Sequence, residues 1–189
     1  MQEIRLTIEK LNKENFGNFI DLNKKNEGLT GSQYLDTTKI NRLKEDAFSS
    51  HPKYEAYLGR ICVDWVAYAS IVTSYSTFMA LPKLVIEEIF VLNNFRNLGI
   101  GTAMFDFCVR NAKKRGCGII ELSIFNNEKA KKFFDFNGAI PVDTTFYQIN
   151  PHAKRIKKAP GKMTFTDFMR GKNKNRLSRL NSRINDTHR

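Results

Sequence analysis

The sequence predicts an α/β (α+β) fold in which helices pack on a mixed β-sheet. Segments with strand and helix spacing follow each other in the order β, α, α, β, β, β, α, β, α, β, β. The 189 residues are 41% hydrophobic and 26% charged, which is the composition of a globular chain that can bury a core. We therefore expect one domain over residues 1–150, followed by an extension over 151–189 whose composition differs.

The first half of the chain supplies a strand, two helices and a hairpin. Alternating apolar residues predict the strand, and helical spacing predicts a helix that Gly28 and Gly31 break. The two hairpin strands are rich in β-branched and aromatic residues, and Val63-Asp64 lies at the bend between them. The predicted segments are a strand over 4–8, helices over 11–20 and 34–48, and strands over 54–62 and 65–78.

The second half alternates strands with two further helices. Each helix is followed by a glycine, Gly116 and Gly138, as is usual just beyond a helix C-terminus. The predicted segments are a strand over 84–92, a helix over 100–115, a strand over 118–125, a helix over 127–137, and strands over 139–142 and 145–149.

The positive charge is concentrated at the C-terminus. Residues 152–189 contain 12 Lys or Arg and two acids, whereas residues 1–151 contain 19 bases and 17 acids. A segment of this charge attracts polyanions such as RNA, DNA or an anionic membrane surface. A solvated tail with no ligand is the alternative, because its aromatic residues are not regularly interleaved with the bases.

Several classes of protein are disfavoured by composition. No apolar run approaches the roughly 20 residues of a membrane span, and residues 1–10 lack the apolar core of a signal peptide. The three cysteines form no C-x-x-C pair, and the three histidines are isolated from them and from each other. We therefore expect a cytoplasmic protein with no metal site and no histidine-based catalytic triad.

The most informative segment is a strand that runs into Arg96-x-x-Gly99-x-Gly101, where a helix begins at once. Glycines let the backbone adopt positive φ and approach a ligand closely. The first N–H groups of a helix have no partners within the helix, and the helix dipole makes their surroundings positive. Arg96 adds a cation nearby. This combination predicts an anion site that suits a diphosphate.

Three interpretations of this segment remain open on the residues alone. A P-loop is not among them, because G-x-x-x-x-G-K-[ST] is absent. The first of the three is a dinucleotide-binding fingerprint, G-x-G-x-x-G. Met104 stands where its third glycine belongs, although Glu121 follows at the spacing of the residue that binds the ribose. A glycine-rich turn without a ligand is the second interpretation, and a diphosphate loop of another kind is the third.

Residues 84–150 resemble the GNAT superfamily of acyl-CoA-dependent N-acyltransferases. The pyrophosphate loop of that family reads Q/R-x-x-G-x-G/A, and a later helix begins and ends with characteristic residues, here 127–130 and 136–139. The amino-acid sequence of residues 86–139 is most similar to those of polyamine and amino-acid N-acetyltransferases. The residues that match the loop are Arg96, Asn97, Leu98, Gly99, Ile100 and Gly101.

The resemblance implies a mostly antiparallel sheet and a reaction in which a primary amine directly attacks the thioester of acetyl-CoA. It also implies which residues bind this co-substrate. Backbone groups of Ile89, Phe90 and Val91 would bind the pantetheine arm and polarise the thioester carbonyl. The loop 96–101, with Thr102 opening the helix, would hold the diphosphate. The segment 127–130 would line the pantetheine side. Asn127 and Ala130 are the two residues of this segment that we expect to contribute.

The resemblance also assigns catalytic residues. An alkylamine is mostly protonated at neutral pH and must lose a proton before it attacks. The similar polyamine enzymes have a functional glutamate at the position of Glu87, which we expect to act as the base or through a water. Strand alternation predicts that Glu87 and Glu88 face opposite sides of the sheet. Phe134 stands where many members have a tyrosine that protonates the leaving thiolate, and Tyr147 is a candidate substitute.

The acceptor and the partners are less defined. The acceptor is a small-molecule or macromolecular amine, including the amino group of aminoacyl-tRNA, and a homodimer is compatible with the family. A non-catalytic or RNA-directed GNAT-like protein that binds nucleic acid through its basic tail is the alternative. Five acids within 27–55 favour a cationic substrate: Glu27, Asp36, Glu45, Asp46 and Glu55.

Overall fold

The computed structural model describes residues 5–30, 35–124, 127–143, 145 and 147, without the side chains of 27–30. The basic extension over 151–189 and the larger part of the strand predicted over 145–149 lie outside these residues. The described elements are β1 (Leu6–Lys10), α1 (Phe16–Thr30), α2 (Thr37–Phe48), β2 (Glu55–Ile61), β3 (Asp64–Ser76), β4 (Leu81–Val91), a 3₁₀ turn (Asn93–Phe95), α3 (Ile100–Lys114), β5 (Ile119–Leu122) and α4 (Glu128–Phe136).

The five strands form one sheet in the order β1-β2-β3-β4-β5. The first three pairings are antiparallel, and β4 pairs with β5 in parallel. The connection from β4 to β5 runs through α3, as a parallel pair requires. The predicted mixed, mostly antiparallel sheet flanked by helices is therefore confirmed.

Each face of the sheet carries its own apolar core. One core is built on α3, whose Met104 and Cys108 are fully buried, and the partly buried Phe133 and Phe134 of α4 pack against it. The other core is built on α1, whose Phe19 and Leu22 are 2% exposed. We call these two sides the α3 face and the α1 face.

Local sequence explains where several elements begin and end, but the prediction that Gly28 breaks the first helix is wrong, because α1 continues through it to Thr30. Asp36 caps α2 by accepting a hydrogen bond from the Lys39 N–H at 2.8 Å, so the helix predicted from residue 34 starts at Thr37. The hairpin between β2 and β3 turns as predicted, with Ile61 opposite Asp64.

The strand predicted over 139–142 is wrong, because those residues form no strand. Two of them, Ile140 and Val142, are exposed, and this short apolar run has no pairing partner among the described residues.

The described residues up to Ala139 form one compact unit, and a second unit begins at Ile140. None of the helices in the described ranges is long and apolar enough to cross a membrane. Within the same ranges, no group of three or more His, Cys, Asp or Glu side chains could hold a metal ion.

Candidate active site

The last five residues of β4 form an open edge in the sheet. The parallel pairing between β4 and β5 runs from Lys83 opposite Ile119 to Ile86 opposite Leu122 and stops there. Beyond that point β4 continues to Val91, and no strand among the described residues pairs with it on that side. The predicted pantetheine residues 89–91 therefore lie at a strand edge where no backbone of β5 competes for their hydrogen bonds.

The backbone of these three residues is more available to a ligand at the edge than their side chains are. Phe90 and Val91 are 4% and 9% exposed, because their side chains are in the cores of the α1 face and the α3 face, respectively. Ile89 is half-buried against the α3 face. A ligand that lies along β4 could therefore form hydrogen bonds with the free backbone groups of this strand, and the core side chains would stay in place.

A β-bulge interrupts β4 beside this open edge. Ser70 lies opposite Glu88 and Ile71 lies opposite Ile86, which leaves Glu87 as an extra residue without a partner on β3. A bulge of this kind shifts the alternation of side chains by one position.

The bulge changes how the side chains around the two glutamates alternate. Ile86 is in the core of the α3 face. Phe90 is in the core of the α1 face, so alternation counted back from it puts Glu88 on the α1 face as well. Ile86 and Glu88, which regular alternation would put on the same side, therefore lie on opposite sides of the sheet. Glu87 between them is exposed, and Glu88 is half-buried.

Glu88 is the centre of a hydrogen-bond network that sequence reasoning missed. The hydroxyl of the fully buried Tyr68 donates to Glu88 at 2.8 Å. The side-chain amide of Asn26 donates to the Tyr68 oxygen at 3.0 Å and reaches a Glu88 oxygen at 3.5 Å. The network joins α1, β3 and β4. Its only sequence signal is the repeated glutamate at 87–88, because the partners are distant in the chain.

The loop before α3 presents a run of free amides. Gly99 is the N-cap of α3 in the left-handed conformation with φ +77°, and no side chain caps the helix. Asn97 also has positive φ, at +62°. Backbone hydrogen bonding resumes at Ala103, whose N–H donates to the Gly99 oxygen at 2.9 Å. The N–H groups from 97 to 102 therefore donate to no acceptor among the described residues.

The residues of this loop contribute in different ways. The Ile100 side chain is 3% exposed, so only its amide is available, whereas Leu98 is 47% exposed. A Cβ added to Gly99 would meet nothing within 4 Å, so that position is open to a ligand. A Cβ at Gly101 would instead lie 3.1 Å from the Phe133 ring. Gly101 thus allows α4 to pack closely on α3, and Thr102 is half-buried in the first turn.

Arg96 has a structural contact as well as an exposed position. Its Nε donates to the Val91 carbonyl at 3.0 Å, and its guanidinium lies 6.0 Å from the centre of the Phe90 ring. This bond ties the loop to the end of β4. The cation is consequently held between the open strand edge and the free amides, which raises the positive potential there.

α4 closes the other side of this region. Asn127 accepts a hydrogen bond from the Ala130 N–H at 3.0 Å and so caps α4. Phe134 packs against Phe105 and Phe133, with ring centres 5.8 Å and 5.0 Å away. Phe134 has no proton to donate, so its role is packing.

Several residues that sequence reasoning singled out are used elsewhere. Glu121 pairs with Lys83 at 2.6 Å on the β4–β5 ladder, and Met104 is buried in the core, so neither fits a dinucleotide site. Asp36 caps α2, and Glu55 binds Arg115. Tyr147 belongs to the second unit and is exposed. Asp36 and Glu55, two of the five acids predicted to favour a cationic substrate, therefore have structural partners within the protein.

Comparison with known proteins identifies the class of fold. Residues 20–138 match the model of the acetyltransferase (GNAT) family, which is more than half of the chain, and the chain belongs to this family of acetyltransferase enzymes. The dinucleotide-fingerprint interpretation of the glycine loop is thereby replaced by the GNAT one.

Solved structures show the same fold at low sequence identity. A ribosomal-protein-alanine N-acetyltransferase from Brucella melitensis biovar Abortus 2308 is 19% identical, with 77% of this chain and 99% of that chain covered and a TM-score of 0.63. An aminoglycoside N-acetyltransferase in complex with CoA is 16% identical over 79% and 97% of the chains, with a TM-score of 0.67. An aminoglycoside acetyltransferase from an uncultured soil metagenomic sample, in complex with sisomicin, is 15% identical over 77% and 97%, with a TM-score of 0.65.

Proposed function

We propose that this protein transfers the acetyl group of acetyl-CoA to a primary amine. The observation that carries the proposal is the run of free amides over 97–102 beside the open edge of β4 at 87–91. Amides at a helix N-terminus bind phosphate groups, and an unpaired strand edge binds the amide groups of an extended arm. Coenzyme A contains both groups, joined in one molecule.

The residues available to this ligand divide by chemistry. The amides of 97–102, with Arg96 close by, would hold the diphosphate, and Ile89, Phe90 and Val91 would offer backbone groups to the pantetheine arm. Ala130 and the capping residue Asn127 would lie along the same arm. When bound, acetyl-CoA supplies the acetyl group as an activated thioester. An N–H group at the end of β4 would stabilise the negative charge that develops on the carbonyl oxygen.

We infer that Glu87 removes a proton from the acceptor ammonium. The bulge sets this glutamate apart from the β3 ladder, it is exposed, and its carboxylate makes no hydrogen bond or ion pair with a described residue. It can therefore accept a proton directly or through one water. The amine nitrogen then forms its bond to the acetyl carbon and loses its second proton to solvent. The carbon–sulfur bond breaks, the electron pair leaves on sulfur, and the thiolate takes up a proton from solvent to give the free thiol. The thiol is acidic enough, with a pKa of roughly 8.5, to leave without an acid in place of Phe134.

The test measures thiol release from acetyl-CoA with a panel of primary amines, at several pH values. We expect Glu87→Gln to lower kcat/KM about 100-fold and to flatten the rise of activity with pH, because a positioned base contributes at least that factor. Glu121→Gln is the matched control, since it removes an exposed strand carboxylate that pairs with Lys83. If Glu87→Gln keeps wild-type activity and its pH profile, the glutamate is not the base. If no amine releases thiol above background, the protein is not an N-acetyltransferase.

A further inference from the structure

A cavity of about 310 Å³ lies at the end of β4. Phe90 is one of its walls, and the side chain of Phe90 belongs to the core of the α1 face. Lys25 of α1 and Phe90 thus place the cavity on the α1 side of the C-terminal end of β4, and Phe95, which packs against the core of the α3 face, also lines it. Its lining comes from α1, β4 and the turn after β4, and consists of Lys25, Phe90, Leu92, Asn93, Asn94 and Phe95.

The lining has a positive charge and no carboxylate among the described residues. Lys25 is exposed on α1 and forms no ion pair with a described residue. Asn93 and Asn94 add two side-chain amides, which can donate hydrogen bonds to an anion. The other walls are apolar. A second ammonium group of a polyamine would meet a like charge here, whereas a carboxylate would meet a cation and up to two further donors.

The opposite charge lies next to the cavity along β4. Glu88 is two residues before Phe90 on the same face, which is about 7 Å along a strand. Tyr68 and Asn26 fix this carboxylate by the hydrogen bonds at 2.8 Å and 3.5 Å. Asn26 follows Lys25 directly, so one turn of α1 supplies a donor to the carboxylate and a cation to the cavity.

We propose that this cavity selects an acceptor that carries a carboxylate as well as its primary amine. Lys25, with Asn93 and Asn94, binds the carboxylate, and the amine is directed to the acidic side, where Glu87 and Glu88 follow each other. The inference rests on the proposed function, because it names the acceptor class of the same reaction. It favours amino acids over polyamines.

The test compares amines that differ in one group. Ethylamine, β-alanine and phosphoethanolamine share an aminoethyl unit and differ in bearing no anion, a carboxylate or a phosphate. Lysine and cadaverine form a second pair that differs by the carboxylate alone. We expect kcat/KM for the carboxylated member of each pair to be about 10- to 100-fold higher, which is the usual range for a charge-assisted hydrogen bond.

Variants of the full chain assign this preference to one side chain. Lys25→Gln should bring the ratio between β-alanine and ethylamine close to one, and Lys25→Arg should retain most of it. Lys24→Gln is the matched control, because it removes an exposed cation from the neighbouring position of α1. Since the ratio is measured within each variant, a general loss of folded protein does not change it.

Three results of these rate comparisons would overturn the inference, and two failures of transfer described after them would do so as well. They are equal or faster transfer to the amines that lack a carboxylate, a higher rate with phosphoethanolamine than with β-alanine, and an unchanged ratio in Lys25→Gln. Absence of transfer to every carboxylated amine, while other amines react, also overturns it and leaves the proposed function intact. Absence of transfer to all amines overturns both proposals, and thermal stabilisation by CoA then shows whether the ligand site alone survives.

Discussion

The two ends of α3 contrast in how their backbone and side chains are satisfied. At the N-terminus, Gly99 leaves the helix without a side-chain cap, and the amides from 97 to 102 have no acceptor among the described residues. At the C-terminus, the Arg115 N–H donates to the carbonyls of Asn111 and Ala112, and the Cys117 N–H also donates to Ala112. Both ends use a glycine with positive φ, at +77° for Gly99 and +66° for Gly116.

The C-terminal end is also closed by side chains. The Arg115 guanidinium donates to Glu55 at 2.5 Å, to Thr73 at 2.9 Å and to Tyr57 at 3.3 Å. Burial alone would raise the pKa of Glu55, but hydrogen bonds from Arg115, Lys10 and Tyr57 outweigh it and lower this pKa from 4.5 to about 2. Burial, followed by the Glu55 charge, raises the pKa of Tyr57 to about 12. One end of the helix thus contributes to stability, and the other keeps its hydrogen-bonding capacity for a ligand.

The largest expected effect separates the two glycines. Gly99→Val and Gly116→Val each force a β-branched residue into positive φ, where a Cβ meets nothing within 4 Å at either site. Both should therefore lose about 1–2 kcal/mol of stability. Coenzyme A at 100 times its dissociation constant should stabilise the wild type by about 2.7 kcal/mol, and only Gly99→Val should lose this gain. Denaturation with and without coenzyme A measures both quantities, and equal retention in the two variants would contradict a ligand role for the N-terminal end.

The next effect concerns the closed end. Arg115→Ala should lower the free energy of unfolding by about 2 kcal/mol, because charged hydrogen bonds between partly buried groups are lost. The side chains of Arg115 and Glu55 are 26% and 21% exposed. Lys131→Ala removes a more exposed pair with Asp135 and should cost no more than about 0.5 kcal/mol. Urea denaturation measures both, and a similar loss in the two variants would show that the closed end adds no special stability.

The pH dependence of stability tests the same cluster. The pKa of Glu55 is lower in the folded state than the ordinary value of 4.5, so the folded state binds fewer protons and is favoured as pH rises. This contribution is fully present above about pH 4.5 and is lost as pH falls towards 2. The stability difference between wild type and Glu55→Gln should therefore be about 1–2 kcal/mol smaller at pH 3 than at pH 6. A constant difference across that range would contradict the lowered pKa.

The smallest expected effect comes from comparing the N-terminus of α2, which a side chain caps, with the N-terminus of α3, which has no side-chain cap. Asp36→Ala removes the acceptor that caps α2 and should cost about 1 kcal/mol. Asp36→Ser should recover most of this loss, since serine also caps well. Neither variant should change the stabilisation by coenzyme A, in contrast to Gly99→Val. A thermal shift assay in the presence of the ligand checks this, and a lost shift in Asp36→Ala would mean that the amides of 97–102 are not the specific site.

Much of the fold could be predicted because its signals are local. The helix predicted over 100–115 is observed as Ile100–Lys114, and glycine follows it as expected. The glycines of the loop 96–101 and the strand before it are sufficient to predict where the anion-binding loop lies. The prediction for Arg96 was incomplete, because its bond to the Val91 carbonyl depends on how β4 ends next to the loop. The predicted role of Gly101 was also incomplete, because Phe133 of α4, 32 residues further along the chain, packs against it.

The sequence by itself determined the order of the elements from β1 to α4, the glycine-capped start of α3 and the absence of a proton donor at Phe134, since each follows from residue type and short-range spacing. Only the tertiary structure decided that Glu88 lies on the opposite face of the sheet from Ile86, two residues before it. That outcome comes from a one-residue offset in the pairing of β4 with β3, and an offset depends on cross-strand hydrogen bonds that no local pattern encodes. The Asn26–Tyr68–Glu88 network and the cavity beside Lys25 arise in the same way, from residues that meet only when α1 packs across the sheet.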